Sequence, residues 1–247
     1  MEQERKKSEL VAIQIEKAII EGIYKPGDRL PPERVLAERY NVSRSILREA
    51  MKHIAGMGLV RTEPQSGTYV TDYGKEASLE LLVYLMDNNE TLNPHILRSL
   101  LEFRDILEIG AAGISAELKD EAFIDVLRSR LNNLRDANDN PGLRAEKDYE
   151  LHATIIAQTD NIAFRLLFNA CRSVYLFYAE EFYRVPGHFE QTLTQLEDLI
   201  QAFEDGDGRR ASTVMRSTLE YGRESIYESL DIDIRAVQGV FGGTHGS

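Results

Sequence analysis

Between residues 78 and 230 the apolar side chains recur at helical spacing, interrupted only by short breaker clusters: Asn93-Pro94, Asn140-Pro141-Gly142, Pro186-Gly187 and the Gly206/Gly208 pair. Proline lacks the amide hydrogen that an interior helical turn requires, and glycine takes the left-handed conformation that ends a helix. The pattern predicts helices near residues 78–87, 93–117, 120–137, 143–158, 161–182, 187–205 and 207–230. That is an all-α bundle of six or seven helices within residues 75–235, followed by a glycine-rich, flexible tail at 236–247.

Residues 1–74 are punctuated differently. Leu10, Ile13, Ile15, Ala18 and Ile19 give a helix from Ser8 to Glu21, which Gly22 stops. Pro31-Pro32-Glu33 opens a second helix that ends at Asn41, because proline is tolerated where helix amides lack partners anyway. Ser43 caps a third, through Ile46, Leu47, Ala50, Met51 and Ile54 to Gly56 and Gly58. Two extended pieces, Leu59–Thr62 and Thr68–Thr71, flank Glu63–Gly67, a connection read as too long for a tight hairpin. Asp72–Ser78 is a polar linker. The fold class is mainly α: an N-terminal winged helix-turn-helix plus a C-terminal helical bundle.

The formal net charge of −12 argues against a nucleic-acid partner only as an average. Residues 1–74 hold 12 Lys and Arg against 11 Asp and Glu, which leaves 17 against 30 of the totals of 29 and 41 for the rest. A near-neutral front module before an acidic back module suggests two tasks. The longest nearly apolar run, Leu79–Met86, contains Glu80 and is far too short to span a bilayer, so no membrane partner is expected. Met1–Ser8 is highly charged and does not read as a secretory signal. A lone cysteine, Cys171, fits a reducing cytoplasm. No nucleophile-base pair, phosphate-cradling loop or full metal set is visible, so an enzyme is not expected, and Cys171 reads as an inert buried thiol.

A helix-turn-helix lays its second helix in a DNA major groove. Ser43, Arg44, Ser45 and Arg48 sit at the N-terminal end of that helix. Arg44 matches the bidentate edge of guanine, and the serine hydroxyls and first-turn amides suit phosphates. Arg34 is placed to reach the flanking backbone or a base edge, and Gln65, Ser66, Gly67 and Thr68 at the wing tip to enter a minor groove.

Gly27-Asp28-Arg29-Leu30-Pro31-Pro32-Glu33-Arg34, Leu36-Ala37, Val42-Ser43-Arg44-Ser45, Leu47-Arg48-Glu49-Ala50, Gly58-Leu59-Val60 and Ser66-Gly67-Thr68-Tyr69-Val70 together resemble the winged-helix domain of GntR-family bacterial transcription regulators. The resemblance covers most of residues 8–71. It implies that Arg34, Arg44, Arg48 and Gly67 contact an operator in double-stranded DNA, a short palindrome bound by a homodimer.

The helical module, over roughly residues 78–230, resembles the FadR subfamily more loosely. Members with a metal carry one Asp and three His around a cavity. Asp148 and His152 match the first two, while Leu196 and Thr218 stand at the others, so the set is incomplete and no metal is expected unless Glu197 or another side chain substitutes. Tyr221-Gly222-Arg223-Glu224-Ser225, Leu100-Leu101-Glu102-Phe103-Arg104 and Asp148-Tyr149 are similar to segments of the acyl-CoA-responsive members. That likeness implies an acyl-CoA effector with Arg104 at its phosphates and Gly222, Glu224 and Ser225 along its rim. The family's tryptophan is replaced by Ser229, and His152 replaces an apolar residue. The run Val174-Tyr175-Leu176-Phe177-Tyr178 with Phe182-Tyr183 reads either as core or as the lining of a greasy pocket, with Tyr175 facing the effector. Arg104 and Glu108 read equally as a surface ion pair. The alternative effector is a small organic acid held with a divalent metal, and the alternative function a ligand-independent DNA-binding protein.

Overall fold

The computed structural model describes residues 2–77, 81–83 and 94–229, and the chain separates into two units, Met1–Leu85 and Met86–Ser247. In the first unit, α1 (Glu2–Ile20) begins six residues before the expected start and ends at Gly22, whose φ is +75°. Its buried face, Val11, Ala12, Ile15 and Ile19, joins Leu47, Ala50 and Ile54 of α3 (Arg44–Gly56) and Leu36 and Ala37 of the short α2 (Glu33–Arg39) in one core. Ser43 caps α3, its Oγ accepting from the Ile46 amide at 3.4 Å, a contribution of about 1 kcal/mol.

The wing is tighter than its sequence implies. β1 (Val60–Glu63) and β2 (Gly67–Val70) pair antiparallel with Glu63 opposite Gly67, so only Pro64, Gln65 and Ser66 form the tip. Gln65 adopts φ +63°, and this left-handed residue closes a three-residue turn where a five-residue loop is expected. Residues 27–30 add a third edge: Val70 N donates to Asp28 O at 2.9 Å and Leu30 N to Thr68 O at 2.8 Å. Gly67, at φ +139°, lies so close under Arg29 that an added Cβ would stand 2.6 Å from its Nε. One helical turn, α4 (Tyr73–Glu76), occupies part of the expected linker.

The second unit is all-helical: α5 (Pro94–Glu117), α6 (Glu121–Arg135), α7 (Pro141–Gln158), α8 (Ile162–Ala170), α9 (Arg172–Tyr183), α10 (His188–Asp205) and α11 (Gly208–Ser229). Asp120, Asn140 and Asn161 cap α6, α7 and α8 with their side-chain oxygens. Asn140 brings Pro141 and Gly142 inside the first turn of α7, where the missing proline amide costs nothing. The single helix expected over 161–182 is two, broken at Cys171, which caps both. No glycine or proline marks that break. Instead it lets Tyr149, Phe168 and Tyr175 cluster, with Tyr149 and Phe168 stacked at 5.1 Å and Tyr175 edge-on to both. The helix expected at 78–87 lies outside the described residues except for 81–83, which are helical, and the expected tail also lies outside them. Among the described residues no helix is long and apolar enough to cross a membrane.

Candidate functional site

On the first unit, Ser43, Arg44, Ser45 and Arg48 are all exposed at the start of α3. Leu47 and Ala50 point into the core, so helical periodicity forces these polar neighbours outward. Arg34, Ser43 and Arg44 border one open groove with Glu38 and Asn41, and Lys7 of α1 joins them. Lys7 escapes sequence reading because its place depends on how α1 lies beside the helix-turn-helix. Arg34 pairs with Glu38 at 2.8 Å, and Arg48 with Glu33 of α2 at 2.8 Å. Arg44 has no ion pair among the described residues. At the wing, Gln65 is exposed at the tip, the Ser66 hydroxyl bonds the Tyr69 hydroxyl at 2.7 Å and the Thr68 hydroxyl bonds that of Thr62 at 3.1 Å. Gly67 has a structural reason of its own, the close Arg29 side chain.

The second unit encloses a cavity of about 70 Å³. α5 supplies Arg104 and Leu107 to its wall, α7 supplies Asp148 and His152, α9 supplies Tyr175 and Tyr183, and α10 and α11 add Thr192, Thr218 and Gly222. Thr218, Gly222 and Ile226 recur every four residues and so form one lining stripe. Glu224 and Ser225 fall off that stripe. Glu224 is exposed, and the Ser225 hydroxyl lies 3.4 Å from His188 Nδ1. The aromatic run divides by the same periodicity: Val174, Tyr175, Tyr178, Phe182 and Tyr183 line the cavity, Leu176 packs against the core and Phe177 faces outward.

The polar end of the cavity is a chain of buried charges. Glu108 is 1% exposed and His152 2%. One Glu108 oxygen accepts from Arg104 Nε and the other meets His152 Nδ1. Arg104 and Glu108 are therefore an internal pair, not a surface one. Arg104 Cζ sits 4.3 Å from the centre of the Tyr175 ring, and the Tyr175 hydroxyl donates to Asp148 Oδ2 at 2.7 Å. Burial opposes each of these charges, yet the partners prevail. Against that burial Glu108 is held below the usual carboxylate range by Arg104 and His152, and His152 is raised by Glu108 and Asp148. Burial and then Asp148 push the Tyr175 and Tyr183 hydroxyls well above the phenol range, so both stay neutral donors. Glu108 and Thr192 went unnoticed as site residues in the sequence, whereas Tyr183 was read there as a candidate pocket lining. Glu108 is signalled there only by its i, i+4 spacing from Arg104.

The residues do not fit a tightly held metal. Asp148 Oδ1 and His152 Nε2 stand 3.7 Å apart on one face of α7. Leu196 lies in the core and does not line the cavity; Thr192, one turn earlier, does. The hydroxyls of Thr192 and Thr218 both donate to carbonyls of their own helices, and Glu197 pairs with Arg135. Among the described residues no three His, Cys, Asp or Glu are grouped to hold an ion, whereas tight sites take three or four protein donors.

A winged helix-turn-helix with an exposed Arg/Ser helix end, joined in one chain to a helical unit enclosing a charged cavity, defines a two-module transcription regulator. The chain belongs to the GntR family: residues 7–70 match "Bacterial regulatory proteins, gntR family" and residues 99–221 match "FCD domain". It is 29% identical over 204 residues to the HTH-type transcriptional regulator LutR of Bacillus subtilis, covering 80% of this chain and 91% of that one. It is 32% identical to the HTH-type transcriptional regulator Mce2R of Mycobacterium tuberculosis, over 66% and 67% of the two chains. The Glc operon transcriptional activator of Escherichia coli is 30% identical over 62% of this chain and 61% of its own. Among solved structures, Lar of Listeria monocytogenes aligns with a TM-score of 0.54 at 17% identity, covering 90% and 96% of the chains, and shares the fold.

Proposed function

We propose that the protein is an effector-responsive regulator whose homodimer reads a palindromic operator, one α3 per half-site. Two-fold symmetry in the protein asks for the same symmetry in the DNA. Arg44 carries this reading. It stands at a capped helix start, exposed, with no internal ion pair to break before it donates to a guanine edge. Arg34, Arg48, Ser43 and Ser45 flank it as phosphate contacts, with Gln65 and the wing tip beside the backbone.

Cavity size favours the effector class. A cavity of about 70 Å³ with a buried cation at its polar end suits a small carboxylate. Arg104 offers a fixed planar cation, because its Nε is held by Glu108. Binding such an acid shifts the protein between states of high and low operator affinity.

The test is selection of binding sites from random duplex DNA, followed by titration of Arg44→Ala. Enrichment of an inverted repeat, and a fall in affinity of roughly tenfold or more for the variant, are expected. No enriched repeat, or an unchanged affinity at moderate salt, overturns the reading.

A further inference from the structure

Of the cations around the start of α3, Arg34 and Arg48 are already neutralised, by Glu38 and Glu33 at 2.8 Å each. Arg44 and Lys7 have no ion pair among the described residues. Lys7 comes from α1, outside the helix-turn-helix, yet it borders the same open groove as Arg34, Ser43 and Arg44. The core puts it there. Val11 and Ile15 bury one side of α1 against α3, and Lys7 stands one turn before Val11 on that side, so its ammonium is carried to the edge where α2 and α3 meet. The acid nearest in sequence does not cancel it: Glu9 lies on the other side of α1 and borders a different groove with Glu49.

An ammonium on a flexible stem is a point charge suited to phosphate, whereas the planar fork of Arg44 suits a base edge. A helix laid in a major groove has a strand of phosphates along each side of it. Resting on the reading of α3 as the helix that enters the operator, we propose that Lys7 is a phosphate contact, holding the DNA backbone beside that groove whatever the base sequence. Arg44 then carries the choice of base, and Lys7 adds affinity and fixes the register without adding specificity.

The test titrates the full chain, wild type and variants, against the selected inverted repeat and random duplex over a salt series. Lys7→Gln is expected to weaken both DNAs alike and to make the slope of log affinity against log salt shallower by about two, roughly 0.9 for each Lys7 of a homodimer. Lys7→Arg keeps the charge and should keep the slope. Lys17, exposed at the far end of α1 and 3.7 Å from Glu21, controls for net charge, and Lys17→Gln should leave the slope nearly unchanged. An unchanged slope in Lys7→Gln, an equal change in Lys17→Gln, or a slope that Lys7→Arg fails to keep overturns the contact, while a fall in operator affinity with Arg44→Ala leaves the reading of α3 standing. A larger loss on the operator than on random duplex makes Lys7 a base contact and overturns its assignment to phosphate. If no inverted repeat is enriched, the operator reading fails, and a shallower slope on random duplex still assigns Lys7 to phosphate.

Discussion

The Tyr175 hydroxyl donates to Asp148 Oδ2 at 2.7 Å, and the Tyr183 hydroxyl bonds the same carboxylate. Tyr175→Phe removes the donor without changing the ring that packs on Tyr149 and Phe168. It leaves the buried Asp148 carboxyl with one donor fewer. The expected loss is about 1–3 kcal/mol, seen as a drop of several degrees in the thermal unfolding of the helical unit. An unchanged melting temperature shows that Asp148 is satisfied another way.

The Glu108–His152 pair sets a pH window. A group whose folded value is raised stabilises fully below its unfolded value and loses that contribution as pH climbs through the folded one. His152, raised from 6.5, therefore stabilises in mild acid and fades toward alkaline pH. Glu108, lowered from 4.5, behaves in reverse: its contribution is present above the ordinary carboxylate value and disappears as pH falls through the depressed one. Stability from this pair is greatest between the two ordinary values. Melting curves of wild type and His152→Gln across pH 5–9 check it. The difference between them should shrink as pH rises, and a difference that grows contradicts the pairing.

What the sequence reveals depends on how local each determinant is. The cap at Ser43 and the exposure of the arginines beside it follow from one helix and its own period, so that face was legible residue by residue. The place of Gly222 in the cavity wall is shared by neither Glu224 nor Ser225, which belong to its segment but not its helix face. The cavity's charges were only half legible. Arg104 and Glu108 announce an ion pair by spacing, yet nothing in four residues of one helix says that α7 and α9 will bury it. The break at Cys171 is likewise tertiary: packing of Tyr149, Phe168 and Tyr175 decides it, and no breaker residue records it.

Gly67 joins backbone strain to a close contact. At φ +139° any side chain is disfavoured, and a Cβ there would lie 2.6 Å from Arg29 Nε. Gly67→Ala should cost about 1–3 kcal/mol in the winged unit. Adding Arg29→Ala should recover only part of that loss, because the clash is relieved while the backbone strain remains. A double-mutant cycle by chemical denaturation separates the two contributions. Full recovery would show that the contact alone requires glycine.

Cys171 reports on the cavity from inside, since it belongs to the lining and no other cysteine competes for a thiol reagent. Burial lifts its thiol to about 11 from 9.0. Only the thiolate attacks, so at pH 8 the reactive fraction falls about a hundredfold below that of an ordinary cysteine. Labelling by an aromatic disulfide should accordingly be slow in the native protein and fast after denaturation. A small carboxylate seated against Arg104 fills the space the reagent must enter, so a saturating small acid should slow native labelling further, while leaving the denatured rate untouched. Fast native labelling contradicts the burial of the thiol. Slow labelling that the acid does not retard, under conditions where calorimetry shows it bound, places the bound acid outside this cavity.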